Sequence, residues 1–398
     1  MKYDFDKIID RWNTHSEKWD GMLEKFGTND LLPMWEADMD FEVAPPIKEA
    51  MIKRAEHGVY GYTVREDSFF EAIINWQKRR NGWDIQKDWI RNTAGAIPAI
   101  AVAVNAFTKP GEKVIIQDPV YYRFFNSITM NGRHVVHNTM IYEDGEYKVD
   151  FDGLIKQIDP TVKMIILCNP QNPVGKVFTK EELLKIGEIC LENDIVIVSD
   201  ELYSDIVFSE NKHIPIASLS KELEMNTVTV FGPGKGFNLS GLKASITVIP
   251  NPKLRQAFDY VADAMQICLK NLFSIEAVEA AYNYGEEWLD EVVKYLEENR
   301  NFMVDYIENN IPKVKVIKPE GTYIAWIDFN ELGMTDEELE KFAVEKMKVG
   351  FKYGYTFGRG GSGFVRINFG CPRSMLKDGL QRIENAVKEY LKENNIQE

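Results

Sequence analysis

The sequence predicts an α/β fold built around a largely parallel sheet. Between residues 90 and 250, short apolar runs rich in β-branched side chains alternate with helical patterns. The runs are nearly continuous rather than alternating, which is typical of strands covered on both faces. Strands that alternate with helices indicate a layered α/β architecture. In such sheets ligands bind at the carboxyl ends of the strands.

Five apolar runs and one helix justify this prediction. The predicted strands are KVIIQD (113–118), KMIILCNP (163–170), IVIVSDE (195–201), TVTVFG (227–232) and SITVIP (245–250). Between the second and third lies TKEELLKIGEICLEN, in which Thr179 and Glu182 have the spacing of a capping box. The apolar residues that follow recur at helical spacing. We therefore expect a helix to connect these two strands.

The pattern changes near residue 285, and we predict three segments. Residues 286–398 contain a long charged helix, the strands GTYIAWIDF and GFVRINFG, a second capping box (Thr335 and Glu338) and a closing amphipathic helix. These features predict a smaller α+β C-terminal domain. Residues 46–285 would form the large domain. Residues 1–45 would be an N-terminal arm that packs with the small domain.

Composition and charge exclude several classes of protein. The formal net charge of −15 argues against general nucleic-acid binding, which needs a basic surface. The longest apolar stretch is too short to span a bilayer, and the charged first dozen residues lack the apolar core of a secretory signal. Four widely spaced cysteines form no CxxC pair, and the histidines show no metal spacing. We expect a cytoplasmic protein without a metal.

Polar side chains follow three of the predicted strands. Asn172 follows one strand, Asp200 and Tyr203 follow the next, and Lys235 follows a third. An ion pair explains any one lysine beside a carboxylate, but the joint placement at one sheet edge favours a ligand site. Lys235 lies in FGPGKGF, which lacks both the first glycine and the hydroxyl residue of a nucleotide-binding P-loop.

A second group of residues predicts a phosphate site. Gly95, Ala96 and Ile97 precede Pro98, a residue favoured in the first turn of a helix. The free amides of such a turn bind anions, and Lys243 adds a cation. An amine for an aldehyde, a carboxylate for a ring nitrogen and a phosphate cup together describe pyridoxal 5′-phosphate.

The chain resembles fold-type I pyridoxal-phosphate enzymes of the class I/II aminotransferase superfamily. More narrowly, it resembles the MalY/PatB-like cystathionine β-lyase (C–S lyase) branch. The resemblance rests on the ordered set LPMWEADMDF, YGYT, DPVYYRF, CNPQNPVGKVFT, SDELYSDI, KGFNLSGLKAS, PEGTYIAWIDF and GFVRINFGCPRSML. It extends over nearly the whole chain and implies the fold-type I transferase fold.

The resemblance also implies roles around the cofactor ring. Lys235 would bond the cofactor's aldehyde carbon and later act as the general base at the substrate Cα. Asp200 would pair with the protonated ring nitrogen. Tyr203 and Asn172 would hydrogen-bond the ring oxygen, and Tyr121 would stack on the ring.

The remaining implied roles concern the phosphate and the substrate. The backbone of residues 95–97, with Lys243, would bind the phosphate. Tyr62 would reach the phosphate site of a neighbouring subunit, which makes the expected active unit a homodimer. Arg366, together with Asn172, would bind the amino-acid substrate, with the guanidinium of Arg366 holding its α-carboxylate.

The chain departs from the family pattern around the lysine. Gly232 and Gly234 stand where the family usually has serine, and Gly236 stands in place of threonine. We expect weaker cofactor retention, because two hydroxyl donors, each worth ~1 kcal/mol, are lost. The alternative is that the glycines admit closer backbone N–H contacts to the phosphate without a net loss.

Three functions follow from these residues. The leading prediction is a β-elimination from an L-cysteine-derived amino acid that gives a thiol, pyruvate and ammonia. The branch-specific stretches LPMWEADMDF and CPRSML favour it. A class I/II aminotransferase is the alternative, since the same residues serve both reactions. A non-catalytic pyridoxal-phosphate-binding regulatory protein is disfavoured by the complete set of five residues (Asn172, Asp200, Tyr203, Lys235 and Arg366).

Overall fold

The computed structural model describes residues 2–268 and 270–396. The helices are α1 (Glu17–Asp20), α2 (Met22–Phe26), α3 (Pro45–Glu56), α4 (Asp67–Asn81), α5 (Ala96–Phe107), α6 (Arg123–Thr129), α7 (Phe151–Gln157), α8 (Lys180–Glu192), α9 (Lys221–Asn226), α10 (Pro233–Gly236), α11 (Pro252–Ala264), α12 (Leu272–Tyr284), α13 (Glu286–Asn310), α14 (Asp336–Phe342) and α15 (Arg373–Glu393). The strands are β1 (Leu32–Pro33), β2 (Ile90–Thr93), β3 (Lys113–Ile116), β4 (His134–His137), β5 (Ile141–Glu143), β6 (Glu146–Lys148), β7 (Val162–Cys168), β8 (Val196–Asp200), β9 (Thr227–Phe231), β10 (Ser245–Val248), β11 (Lys315–Ile317), β12 (Ile324–Asp328), β13 (Val349–Gly350), β14 (Lys352–Tyr353) and β15 (Phe364–Asn368).

A seven-stranded sheet in the order β2-β10-β9-β8-β7-β3-β4 forms the centre of the molecule. The strands from β9 through β4 pair in parallel, whereas β10 runs antiparallel to both of its neighbours. All five predicted strands are members of this sheet. The mostly parallel α/β architecture is therefore confirmed. Because β7, β8 and β9 are adjacent and parallel, their carboxyl ends meet at one edge.

Local sequence signals account for three of the helices. Thr179 and Glu182 form the predicted capping box at the start of α8, in which each side chain accepts from the other residue's backbone amide. Thr335 and Glu338 do the same at α14. The predicted long charged helix is α13. Helix α8 buries Leu183, Ile186 and Ile189 against β3, β7 and β8, in a second layer of the core.

A four-stranded antiparallel sheet in the order β11-β12-β15-β14 lies in the last third of the chain. It contains both strands predicted there. Near the N-terminus, β1 pairs in parallel with β13. This pairing supports the predicted contact between the N-terminal arm and the small domain. The division of the chain at residue 285 stays a prediction.

The described residues bear on two further expectations. No helix among them is both long and apolar enough to cross a membrane. All four cysteines are free thiols, and three of them are buried. Burial raises the pKa of the Cys190 and Cys371 thiols to about 12, so both stay protonated and pack as small apolar side chains.

Candidate active site

Lys235 lies at the carboxyl end of β9, in the short helix α10. Its amine is half-buried and donates a 2.6 Å hydrogen bond to the backbone carbonyl of Ala37. Burial is the largest cause that lowers the pKa of Lys235 below its usual range. A lowered pKa leaves more of the amine unprotonated near neutral pH. The amine can therefore act as a nucleophile or a general base.

Asp200 and Tyr203 lie beside this amine. Asp200 is the last residue of β8, and one carboxylate oxygen accepts from the amide of Leu202 at 3.2 Å. Burial raises the pKa of Asp200 to about 7. The ring of Tyr203 lies 5.8 Å from the Lys235 amine, and burial raises the pKa of its phenol. Among the described residues, the Tyr203 hydroxyl has no hydrogen-bond partner.

Arg366 joins the small sheet to the carboxyl end of β7. It lies within β15, is buried, and donates from Nη1 to the Asn172 side-chain oxygen at 3.2 Å. Its Nη2 donates to the backbone carbonyl of Trp35 at 2.9 Å. The buried Nε has no partner among the described residues. These two hydrogen bonds fix the orientation of the guanidinium. Its planar set of donors is suited to binding a carboxylate.

The predicted phosphate cup lies at the N-terminus of α5. Gly95 caps this helix with φ of +117°, a conformation that favours glycine, and Ala96 and Ile97 begin its first turn. The first amides of a helix lack acceptors within the helix and carry its positive dipole end. This turn is therefore suited to an anion, and its role as the phosphate site stays a prediction.

Two further segments meet close to that turn. Thr93, just before it, pairs with Ser245 across β2 and β10. A β-carbon on Gly232 would lie 2.8 Å from the carbonyl of Ala244, which shows how closely these segments approach. Lys243 precedes them and is exposed at the border of a cavity of about 260 Å³.

The two predicted tyrosines differ in their positions. Tyr121 lies between β3 and α6, half-buried, with its ring 5.0 Å from that of Tyr122. Burial is the main cause that raises the pKa of the Tyr121 phenol. Tyr62 is fully exposed in the segment between α3 and α4. Tyr121 interacts electrostatically with Arg366 and Tyr203 and so lies with the other site residues, whereas the role of Tyr62 stays a prediction.

One wall of the site had no predicted role. Residues 35–38 cross the site, and their carbonyls accept from Arg366, from Lys235 and, at 2.9 Å, from the hydroxyl of Tyr323. Asn368, just after Arg366 in β15, donates to two further carbonyls of the segment, those of Glu36 and Asp38. The signal was the run LPMWEADMDF, which is too aromatic for a free tail.

The arrangement combines four chemical capacities in one place. It offers an amine that titrates below its usual range, a buried carboxylate, a buried phenol and a guanidinium with a free donor. Among residues 2–268 and 270–396, no cluster of three or more histidine, cysteine or acidic side chains could hold a metal ion.

These features define a fold-type I pyridoxal-phosphate enzyme fold, and solved structures carry the same fold. A structure from Clostridium difficile 630, named as a PLP-bound "putative aminotransferase", is 48% identical, with a TM-score of 0.95, and the match covers 97% of this chain and 100% of that one. Cystalysin from Treponema denticola, whose structure contains pyridoxal 5′-phosphate, is 38% identical with a TM-score of 0.95, covering 98% and 100%.

The chain belongs to the family Aminotransferase class I and II, which matches residues 24–383. Among curated relatives, the cystathionine beta-lyase PatB of Bacillus subtilis (strain 168) is 42% identical over 384 residues. That match covers 96% of this chain and 99% of the relative. The resemblance stated from the motifs is confirmed, at both the level of the superfamily and that of the branch.

Proposed function

We propose that the protein is a pyridoxal-phosphate-dependent carbon–sulfur β-lyase. The observation that carries the proposal is the half-buried amine of Lys235, which has a lowered pKa and faces the ring of Tyr203 beside the carboxylate of Asp200. The 42% identity to a cystathionine beta-lyase supports elimination, whereas the 48% identity to a structure named as an aminotransferase keeps amino-group transfer as the alternative. The net reaction adds water to an S-substituted cysteine and releases a thiol, pyruvate and ammonia.

The residues present fit pyridoxal phosphate. The buried Tyr203 hydroxyl lacks a partner among the described residues, so it has a free donor for the ring oxygen. The Asp200 carboxylate is buried, and the charge of Lys235 lowers its pKa against the effect of burial. A protonated ring nitrogen would add a positive partner for this carboxylate. The first turn of α5 and Lys243 would hold the phosphate. These positions support the roles that the resemblance implies.

Different residues of the chain carry out different steps of the reaction. When bound, pyridoxal phosphate supplies the electron sink for the pair left at Cα. Arg366 binds the α-carboxylate and fixes the position of Cα relative to Lys235. Lys235 removes the Cα proton, for which its lowered pKa is suited. The Cβ–S bond then breaks, the sulfur leaves with the electron pair and takes a proton, and water completes the release of pyruvate and ammonia.

The active unit is proposed to be a cytoplasmic homodimer. Support comes from the segment between α3 and α4, where Val59, Tyr60, Tyr62 and Val64 are all exposed. A row of exposed apolar and aromatic side chains is typical of an interface. A second copy would cover this row and bring Tyr62 to the neighbouring phosphate site.

The first experiment mixes purified protein and pyridoxal phosphate with L-cystathionine and follows absorbance from 300 to 550 nm. Pyruvate and free thiol are assayed in parallel. We expect equal amounts of both products from the wild type and none from Lys235→Ala. The exposed Lys346→Ala is the matched control and should behave as the wild type. Transfer of the amino group to an oxo acid without thiol release would identify an aminotransferase. Absence of both reactions would favour a non-catalytic protein.

A further inference from the structure

Two cations face each other across strands of the small sheet. Lys352 in β14 pairs directly with Arg366 in β15 in an antiparallel register. Side chains directly opposite in such a pair lie on the same face, about 5 Å apart at Cβ, and like charges there are destabilising. This arrangement costs stability unless an anion neutralises it. Arg366 has its proposed anion in the substrate α-carboxylate, which leaves Lys352 to be explained.

The surroundings of Lys352 contain more cations than anions. Its amine lies 4.4 Å from the ring centroid of Tyr122, and the guanidinium of Arg123 lies 5.5 Å from the same ring. Among the described residues, no carboxylate oxygen lies within 4.0 Å of either cation, so neither forms an ion pair. Both cations therefore lie by the ring of Tyr122 without a paired carboxylate in the described part of the chain.

The pKa of Lys352 agrees with this excess of nearby cations. Burial is the largest cause that lowers the pKa of Lys352 to about 8, and Lys25, Arg366 and Arg123 add to it. Glu36 acts in the opposite direction. A bound carboxylate would stabilise the charged lysine and relieve the repulsion among these cations.

Aromatic rings connect Lys352 to the site of the α-carboxylate. The guanidinium carbon of Arg366 lies 5.3 Å from the ring centroid of Phe357, and that ring lies 6.3 Å from the ring of Tyr122. Tyr122 in turn contacts Tyr121, the residue expected to stack on the cofactor. Aromatic rings therefore link the two cations, with Phe357 fully buried and Tyr122 half-buried. A short aliphatic chain with an anion at each end, lying on the ring of Tyr122, matches this arrangement.

We propose that Lys352 binds a carboxylate at the far end of the substrate's sulfur substituent. The preferred substrate class is then an S-substituted L-cysteine whose substituent ends in a carboxylate. The inference rests on the proposed function, because it takes Arg366 as the partner of the α-carboxylate. Tyr122 covers the aliphatic part of the substituent, and Arg123 adds positive charge at the rim.

The test uses two substrates of matched shape. S-(2-carboxyethyl)-L-cysteine carries the distal carboxylate, and S-(3-methylbutyl)-L-cysteine replaces it with an isopropyl group. In Lys352→Met holoenzyme we expect KM for the first substrate to rise roughly 10-fold, with kcat within about twofold. The KM for the second substrate should change less than about twofold. The matched control is Lys346→Met, which changes an exposed lysine that forms no ion pair with the described residues.

Reversing the charge of residue 352 should improve binding of a substrate with a distal cation. Lys352→Glu should lower KM for S-(2-aminoethyl)-L-cysteine while raising it for the carboxyethyl substrate. An equal rise of KM for the carboxyethyl and methylbutyl substrates in Lys352→Met would show a structural role instead and overturn the proposal. Unchanged KM for both would overturn it as well.

A binding measurement separates this proposal from the proposed function. L-2-aminopimelate replaces the sulfur of the carboxyethyl substrate with a methylene and cannot release a thiol. Calorimetric titration of the holoenzyme should give a Kd roughly 10-fold higher for Lys352→Met than for the wild type. If the wild type releases thiol from neither cysteine conjugate, the proposed lyase function is wrong. The titration still tests whether Lys352 binds the distal carboxylate. Equal Kd values would then reject the distal carboxylate site.

Discussion

The amine of Lys235 donates a 2.6 Å hydrogen bond to the carbonyl of Ala37, which lies 198 residues away along the chain. The same carbonyl accepts from the hydroxyl of Tyr323, at 2.9 Å. The N-terminal segment thus helps to fix the position of the candidate nucleophile. Catalysis should therefore depend on residues in three separate parts of the sequence.

Asp200→Asn should reduce kcat by about 100-fold or more with little change in KM. The amide cannot hold a positive charge on the ring nitrogen, and preorganised charges of this kind contribute about 10²–10³ in rate. Steady-state release of pyruvate measures the effect.

The control for this change is Glu201→Gln. The Glu201 carboxylate is buried next to Asp200 but is hydrogen-bonded to Ser199 and His213. The variant should lose stability while kcat stays within about threefold of the wild type. If Asp200→Asn kept more than a tenth of the wild-type kcat, the role of Asp200 at the ring nitrogen would be wrong.

The two glycines that replace serine should respond differently to its restoration. A β-carbon at Gly234 meets only Ser240, at 3.8 Å, whereas at Gly232 it meets the Ala244 carbonyl at 2.8 Å. We expect Gly234→Ser to lower the cofactor Kd about 5-fold, through one added hydroxyl donor worth ~1 kcal/mol. Gly232→Ser should lower the free energy of unfolding by roughly 1–3 kcal/mol because of overpacking. Cofactor titration and urea unfolding measure both effects, and an unchanged Kd in Gly234→Ser would favour the neutral alternative.

Asn368→Ala should loosen the wall formed by residues 35–38. The buried Asn368 amide donates to the carbonyls of Glu36 and Asp38, and its loss leaves both acceptors without this donor. We expect the free energy of unfolding to fall by roughly 1–3 kcal/mol and KM to rise. Asn309→Ala is the control, since its exposed amide bonds only within its own helix, to Asp305. Equal urea midpoints for the two variants would contradict this account.

The pH dependence of KM should report the charge of Lys352. Its pKa is lowered to about 8, so the amine is charged below that pH and neutral above it. For S-(2-carboxyethyl)-L-cysteine, KM should be flat below about pH 8 and rise above it. The charged and titratable groups that face the amine are Lys25, Glu36, Tyr122, Arg123 and Arg366. S-(3-methylbutyl)-L-cysteine shares the same α-amino group, so a parallel rise for it would assign the pH effect to another group.

The sequence by itself determined the parts of the fold that local patterns specify. Continuous β-branched runs identified the strands of the large sheet, and two capping boxes marked the starts of α8 and α14. The carboxyl ends of neighbouring parallel strands meet at one edge of a sheet. The sequence alone therefore predicted Asn172, Asp200 and Lys235 at the same edge. Short-range periodicity and strand polarity are enough for such predictions.

Only the tertiary structure decided which distant segments complete the site. The contacts of Ala37 with Lys235 and of Trp35 with Arg366 join residues that no local pattern connects. The register that sets Lys352 opposite Arg366 likewise depends on how β14 pairs with β15. Hydrophobic periodicity determines which face of an element is buried. It does not determine which partner lies across from that face, because the partner is chosen by the packing of the whole chain.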